Sequence, residues 1–590
     1  MIKSLLLLAS LLLAVPLRAQ PLSPSDSISA MHLPPGFSAT LFAAEPDLSQ
    51  PISFAIDDRG RLWVAEAYNY PKWKPQGADR ILIFEDTDND GHFDKRTIFY
   101  DKLNYVTGLE VGFGGVFVLS PPHLLFIPDK NADDKPDSAP QILLDGFGHQ
   151  SPHNIVNGGI WGPDGWLYGG HGGTSNGEIK IAATDKKIFY DGGVWRYHPT
   201  KHLFESVMEG TTNPWGMDYD QFGQIFISNS VTPHLYHVIF GGHVERRTAS
   251  PYSRHAYGLL PPATDHLHWV GPSWDKSKGG APQQLAVGGG HAHCGLLIYQ
   301  GDSFPDSYRN TLFMVNVHGA RINNDLPQRK GSGFTAHHGA DFLTTTDNFF
   351  RGLHPKLAPD GSIYLSDWYD TGECHTLNPQ RGNGRIYKIS YKTPNSSKPP
   401  PDFSKLSSKD LVASQLDTNE WSARHARRLL QERRSDKDVH ASLLEILNGQ
   451  RNLVLRLRAL WSLHVTDGPI DPALLDDENE YMRAWAIQLL MERGQLKPDK
   501  LLKMAEKDPS PLVRLYLASA AQRLDPADRW ALAERLAMHD EDAADANLPL
   551  MYWYALEPLV PADPQRALTL AAKTKIPTLR EFIARRVASK

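Results

Sequence analysis

Cysteine is nearly absent: the 590 residues carry only Cys294 and Cys374. That excludes a disulfide-dense scaffold, and a covalently held c-type haem as well, since no Cys-X-X-Cys-His run exists. Positive charge is not in excess either. Lys and Arg number 61 against 67 Asp and Glu, a net charge of −6 with a pI near 6.5. Nothing therefore points to nucleic acid or to an anionic membrane surface as a partner. Long apolar runs are also missing. The Leu-rich stretch Ser4–Val15 is too short to span a bilayer, so the protein is not expected to be membrane-spanning. It follows Lys3 and closes at Leu17-Arg18-Ala19, the plan of a secretory signal over residues 1–19. The mature chain is expected to start near Gln20 and to work in the periplasm or outside the cell. No cysteine stands at the cleavage point, which argues against a lipid anchor.

In an oxidising compartment two cysteines usually form one disulfide, which pairs Cys294 with Cys374. The alternative is metal ligation, because His291, His293 and Cys294 stand beside one another and His375 follows Cys374.

What is present is a repeat. The stretch Pro152–Gly173 reads PHNIVNGGIWGPDGWLYGGHGG. Its centre, Gly162-Pro163-Asp164-Gly165, is a tight turn: Pro sets φ, Asp bonds back to the backbone and Gly takes φ > 0. The apolar strand Trp166-Leu167-Tyr168 follows at once. The same turn-then-strand block recurs in Asp57–Ala67, Gly112–Ser120, Asp220–Ser230, Tyr308–Val317 and Ala358–Trp368. Aligned on Leu62, Val116, Leu167, Ile225, Leu312 and Ile363, the copies step by 54, 51, 58, 87 and 51 residues. Such a period, with Gly and aromatic punctuation, predicts a six-bladed β-propeller with an insertion near residues 241–290.

After Ile389 the composition changes. Tyr391–Phe403, YKTPNSSKPPPDF, is a Pro- and Ser-rich linker, and helix formers dominate beyond it. Apolar residues at helical spacing recur around Arg424, Arg458, Arg483 and Arg514, which predicts stacked helix pairs of HEAT type. The expected organisation is a propeller over 20–392, a linker over 393–403 and a helical repeat domain over 404–590, mainly β plus α.

Two acidic loops stand out. Asp86, Asp88, Asp90 and Asp94 alternate around Gly91, as in the first positions of a calcium loop, though Thr97 stands where the bidentate Glu belongs. Asp129, Asn131, Asp133 and Asp137 make a weaker copy 43 residues on, with Asp134 in place of the Gly. Calcium is expected there in a structural role, with solvated acidic turns as the alternative. Histidine is concentrated elsewhere: 18 of 25 fall between His149 and His375. His153, His171, His291, His293 and His318 sit at strand ends, with Arg321 and Arg351 in HGARIN and FFRGL. This concentration predicts a polar site at one mouth of the propeller, with imidazole as proton acceptor and guanidinium forks for carboxylates or sugar hydroxyls.

The stretches NGGIWGPDGWLYGGHG, GTTNPWGMD, GGGHAHCGLLIYQGDSFP, LFMVNVHGARIN and FFRGLHPKLAPDGSIYLSDWYD carry a resemblance. Over residues 36–389 the chain resembles bacterial secreted propellers labelled membrane-bound dehydrogenases, which are often followed by HEAT repeats and a haem-c domain. More distantly it is similar to the soluble quinoprotein glucose and sorbosone dehydrogenases. The resemblance implies oxidation of a sugar or polyol with pyrroloquinoline quinone as cofactor and His153 as catalytic base. It implies that Asn213, Arg321 and Arg351, together with His171, His291, His293 and His318, hold cofactor or substrate, and that calcium neutralises the quinone's carboxylates. The Arg-Asn-Pro element of those enzymes reads Thr212-Asn213-Pro214 here. With no haem motif, electrons would leave to a separate acceptor such as a cytochrome c, and the helices would dock a protein partner. A non-catalytic glycan- or protein-binding propeller is the alternative.

Overall fold

The computed structural model describes residues 20–589 except 75, 185, 232, 247–252, 265–288, 373–377, 393–399 and 435. Residues 1–19, where a signal is expected, Cys374, His375 and most of the expected linker lie outside the described residues. Six sheets, antiparallel except for one short parallel pair at the outer edge of the third, follow one another around a ring. Their innermost strands are Pro51–Ile56, Gly108–Val111, Val156–Trp161, Pro214–Tyr219, His293–Ile298 and Gly352–Leu357. The second strands are Leu62–Glu66, Gly115–Ser120, Leu167–His171, Ile225–Asn229, Leu312–Asn316 and Ile363–Asp367, one for each repeat read from the sequence.

The turn chemistry explains why these hairpins form. Asp57, Asp164, Asp220 and Asp360 each accept the amide two residues on, from Arg59 (2.9 Å), Trp166 (3.4 Å), Phe222 (2.9 Å) and Ser362 (3.0 Å). These Asx turns give the backbone a local partner where the ladder stops. The ring closes through the sixth blade. Its outer strand, Phe37–Ala44, pairs antiparallel with Arg385–Tyr391, Phe37 opposite Tyr391 and Ala44 opposite Arg385. A strand from before the first blade thus removes the edge left by the last.

A region of about 12 helices follows. Side-chain caps start many of them, including Asn419, Asn452, Asn479 and Ser510, each accepting an amide of the first turn. The helices lie across the face that carries the tight turns and reach every blade. His425 meets Asp58 at 2.8 Å, Glu432 accepts the Phe113 amide at 2.7 Å and Gln431 donates to the Gly165 carbonyl at 2.9 Å. Trp485 donates to the Phe222 carbonyl (2.8 Å), Arg309 to that of Thr418 (3.0 Å) and Asn419 to that of Pro359 (2.9 Å). The glycines at these turns serve twice. Gly165 (φ 80°) and Gly223 (φ 75°) need the left-handed region, and a Cβ on Gly223 would stand 2.5 Å from the Trp485 ring.

One buried charge cluster ties the third blade to the helices. Arg196, fully buried, contacts Asp164 at 2.8 Å, Glu205 at 2.6 Å and Glu492 of helix Glu480–Glu492 at 2.6 Å, and it stacks on Trp166. Burial alone would raise the Glu492 carboxyl, but the Arg196 guanidinium and His464 hold it well below the usual carboxylate range.

This interface makes two outcomes testable. Cleavage of the chain within residues 393–401 should leave the two pieces together, eluting as one species under native conditions and separating only in denaturant; two independent peaks would contradict the interface. Arg196→Met, which leaves Asp164 and Glu492 uncompensated, should lower unfolding stability by ~3–5 kcal/mol, read from the denaturant midpoint.

Candidate functional site

Antiparallel strands send the first-to-second and third-to-fourth hairpins to the helix-bearing face. The other connections reach the opposite face, and there a cavity of about 90 Å³ opens on the propeller axis. Its floor is an apolar collar of Ile52, Trp215, Cys294 and Leu353, part of a continuous core between the blades. Below the collar lies a second axial cavity of about 150 Å³, closed by Trp421, Arg424 and Arg428 of helix Glu420–Arg433. Its charges pair with one another: Lys356 with Glu110 at 3.3 Å and Arg424 with Asp218 at 2.6 Å. The upper cavity is the candidate site.

His153 enters it from the segment before the third blade. Its Nδ1 lies 2.7 Å from the hydroxyl of Tyr70, which comes from the end of the second strand of the first blade. Tyr105 fastens both segments from below, donating to the Pro152 carbonyl at 2.8 Å and the Pro71 carbonyl at 3.2 Å. Asn213 is held by its own amide on Asn229 Oδ1 (2.7 Å) and accepts the Trp215 indole at 2.7 Å. Arg351 donates to the carbonyls of Gly372 (2.6 Å), Asn348 (3.0 Å), Phe350 (2.6 Å) and Thr371 (3.2 Å), so its guanidinium is rigidly placed. Asp370 accepts the Gly372 and Gln380 amides at 2.9 and 2.8 Å. Tyr70, Trp215 and Trp368 supply flat aromatic walls.

The structure thus brings His153, Asn213 and Arg351 together, and distributes the other expected residues. His171 is fully buried between blades, its Nε2 3.3 Å from the Gly148 carbonyl, and burial pushes its pKa down to about 4. His291 packs on His318 (ring centroids 5.2 Å apart), whereas His293 stacks on His234 at 4.5 Å. Arg321 pairs with Asp341 at 2.5 Å. Cys294 contacts Ser230 Oγ at 3.3 Å, and burial pushes its thiol up to about 11. The bridge partner Cys374 and, of the alternative metal ligands, Cys374 and His375 lie outside the described residues, whereas His291, His293 and Cys294 lie within them.

The acidic loops occupy equivalent third-to-fourth hairpins of the first two blades. Single ligand atoms of Asp86, Asp88 and Asp94 lie within 4.8 Å of one another. Asp90 and Gly91 donate their amides to Asp86 at 3.1 and 2.9 Å. In the second loop Asp133 and Asp134 donate to Asp129 in the same way, at 3.1 and 3.2 Å, and Lys130 donates to Asp137 at 2.7 Å. Asp134, in the glycine position, takes φ 65° and turns its carboxylate to Arg61 at 2.8 Å. Both loops lie on the helix-bearing face, so a cation there would brace a hairpin and would not meet a ligand at the upper mouth.

Sequence reasoning missed Tyr70, Trp215, Trp368 and Asp370. The repeat itself carried the signal for three of them: Tyr70 and the Trp368–Asp370 segment follow the second strands of the first and sixth blades, the position from which His171 leaves the third.

The fold and this cavity define the class: a six-bladed propeller with a polar, aromatic-walled site at the end of its axis opposite the helices. The family is more particular. Residues 23–393 match the family described as Domain of unknown function (DUF7133), and the chain belongs to it. No curated protein matches the chain. Among solved structures it is similar to an oxidoreductase (glucose dehydrogenase) from Thermus thermophilus, at 15% identity over 60% of this chain and 100% of that one, TM-score 0.40. It is also similar to the PQQ-bound aldose sugar dehydrogenase of Streptomyces coelicolor (14% identity, 61% and 100% covered, TM-score 0.37). A third is the holo pyranose dehydrogenase PQQ domain of Coprinopsis cinerea (12%, 61% and 97%, TM-score 0.37). At these identities the likeness concerns the fold.

The buried histidines predict an acid response. Burial lowers His171 to about 4, and His237 and His354 to about 3. They are neutral when folded, whereas unfolded imidazoles take a proton near ~6.5. The unfolded state then binds more protons, so stability falls as pH drops from about 6.5 toward 4, by roughly 1.4 kcal/mol per pH unit for each group. Denaturant midpoints across this range should show the slope, and His237→Gln should reduce it; a flat midpoint would count against buried neutral histidines.

Proposed function

We infer that the upper axial cavity binds a sugar or polyol and oxidises one of its hydroxyls, with His153 as the proton acceptor. The observation that carries this is the His153–Tyr70 contact at 2.7 Å, fixed over an apolar floor on the propeller axis. Tyr70 orients the imidazole through Nδ1, as a base needs when its other ring nitrogen, Nε2, must meet the substrate hydroxyl. Asn213 and Asp370 would position substrate hydroxyls, and the collar would keep bulk water from below.

A redox step needs a two-electron acceptor, and the donor set fits pyrroloquinoline quinone, a planar aromatic tricarboxylate. Tyr70, Trp215 and Trp368 offer flat walls. Cations stand around the mouth: Arg351 in the wall, Arg381 behind Tyr70 with 2.7 Å to its carbonyl, and exposed Lys72. Asn213 and these three side chains would hold it, taking over from the arginine that Thr212 replaces. The quinone, when bound, supplies the hydride acceptor. Electrons would then pass to a separate carrier such as a cytochrome c. Calcium, in this reading, belongs to the Asp86 loop as a brace. The work would be done in the periplasm or outside the cell; among the described residues no helix is long and apolar enough to cross a membrane. A protein partner would meet the helices on the side away from the propeller.

A second reading, a glycan-binding propeller without catalysis, is favoured by Arg351, whose donors already meet four carbonyls. Calorimetric titration of the quinone into wild type and Arg351→Ala separates the two. Binding by wild type, weakened in the variant, supports the oxidoreductase; no binding by wild type ends it. In dye-reduction assays on a sugar panel, His153→Ala should lower the rate ~10²–10⁴-fold while quinone binding persists.

A further inference from the structure

We propose that a groove leading outward from the axial cavity, over the first and second blades, is a subsite for further sugar units, so that the substrate is an oligosaccharide. The proposal rests on the reading that the axial site takes a sugar.

The two segments that deliver Tyr70 and His153 continue side by side across the open face. Tyr70 and His153 form the inner pair, with ring centroids 5.6 Å apart. Tyr105 clamps the segments between Pro71 and Pro152. Farther out, Trp73 and His149 form a second aromatic–imidazole pair, with centroids 6.4 Å apart and planes inclined by 34°. This outer pair opens on a groove of about 430 Å³, against about 90 Å³ in the axial cavity, whose other walls include Lys102, Asn104 and His123. The axial cavity suits one reacting end, and the groove has room for the rest of a longer molecule.

Trp73 is the unusual member. Of the tryptophans among the described residues it alone is exposed, at 47%. Its backbone is nonetheless held: Asn104 accepts Asn69 Nδ2 at 2.7 Å and donates to the Lys74 carbonyl, on the two sides of Trp73. A single exposed apolar ring is ordinary at a surface; what marks Trp73 is that its flat face is held on an anchored segment at the lip of a groove. Polar groups flank it rather than a continuous apolar patch. The Lys102 ammonium can donate, and the imidazoles of His149 and His123 can donate or accept. An apolar face with hydrogen-bonding groups at its margins matches a pyranose ring, which presents C–H groups on one face and hydroxyls around its edge. The two segments that carry Tyr70 and His153 to the axial site also carry Trp73 and His149 to the groove, which argues for one extended ligand.

The test is calorimetry, with tryptophan fluorescence alongside, on the full protein without added quinone. The probes are the mono-, di- and trisaccharides of gluco-, xylo- and galacto-series. Wild type, Trp73→Ala and Trp73→Phe are compared. In at least one series wild-type affinity should rise about tenfold or more from mono- to trisaccharide. Trp73→Ala should lose that gain and keep its monosaccharide affinity, and Trp73→Phe should retain most of the gain. Affinity independent of chain length in every series, or a gain that survives Trp73→Ala, overturns the proposal. Because no turnover is read, a chain-length gain that depends on Trp73 upholds the subsite even if quinone titration fails. Oxidation of monosaccharides with no chain-length gain removes the subsite alone.

Discussion

The pairing of Phe37–Ala44 with Arg385–Tyr391 is the constraint on which the rest depends. A propeller blade is a short twisted sheet with two exposed edges, and six of them have an axis only once the ring is closed. Closure places six innermost strands around one line, and every group in the candidate site is defined by its height along it. Residues that follow second strands or precede first strands rise to the open mouth, which is how Tyr70, His153, Asn213 and Arg351 meet across four blades. No pair of them is close in sequence.

The helices give this ring a polarity. One end of the axis is covered by helix Glu420–Arg433, whose Arg424 and Arg428 are neutralised by Asp218 and Asp58, and among the described residues no helix lies over the other. The charged lower cavity therefore reads as an interface between two parts of one chain, its groups committed to one another. The open mouth has a different character: aromatic walls, a rigid guanidinium, a carboxylate held by two backbone amides and an imidazole fixed by a phenol. Separation of the two ends by Ile52, Trp215, Cys294 and Leu353 lets the covered end contribute stability without entering the chemistry of the open one.

Much of the fold was legible because the repeat is local. Asp and Gly in four of the turns, and Gly alone in a fifth, each followed by an apolar strand at a similar step, placed the six second strands. The site was less legible, for a physical reason. His153 and Arg351 could be picked out as polar groups flanking blade strands, but the many histidines around them have unlike fates: His171 and His354 are neutral, buried packing groups, and His291 and His293 face different neighbours. Histidine count measures none of this. Tyr70 and Asp370 escaped notice because a tyrosine or aspartate after a strand is ordinary, and only the ring brings them to the axis. The docking of the helices was similarly hidden. The Trp and Arg residues that looked like solenoid core, Trp485 and Arg424 among them, are turned in part toward the propeller turns.

The closing strand also fixes the order in which this protein can become itself. Phe37–Ala44 is made before any blade and has no partner until Arg385–Tyr391 has been synthesised. Over that interval the emerging chain carries an orphan edge, with the alternating Phe37, Ala39 and Leu41 side chains that will pack in the sixth blade. Contacts of such long sequence separation form late and slowly. The chain is therefore committed to a long wait in a self-adhesive state, and the pace of its maturation is set by two segments at opposite ends of the ring finding each other.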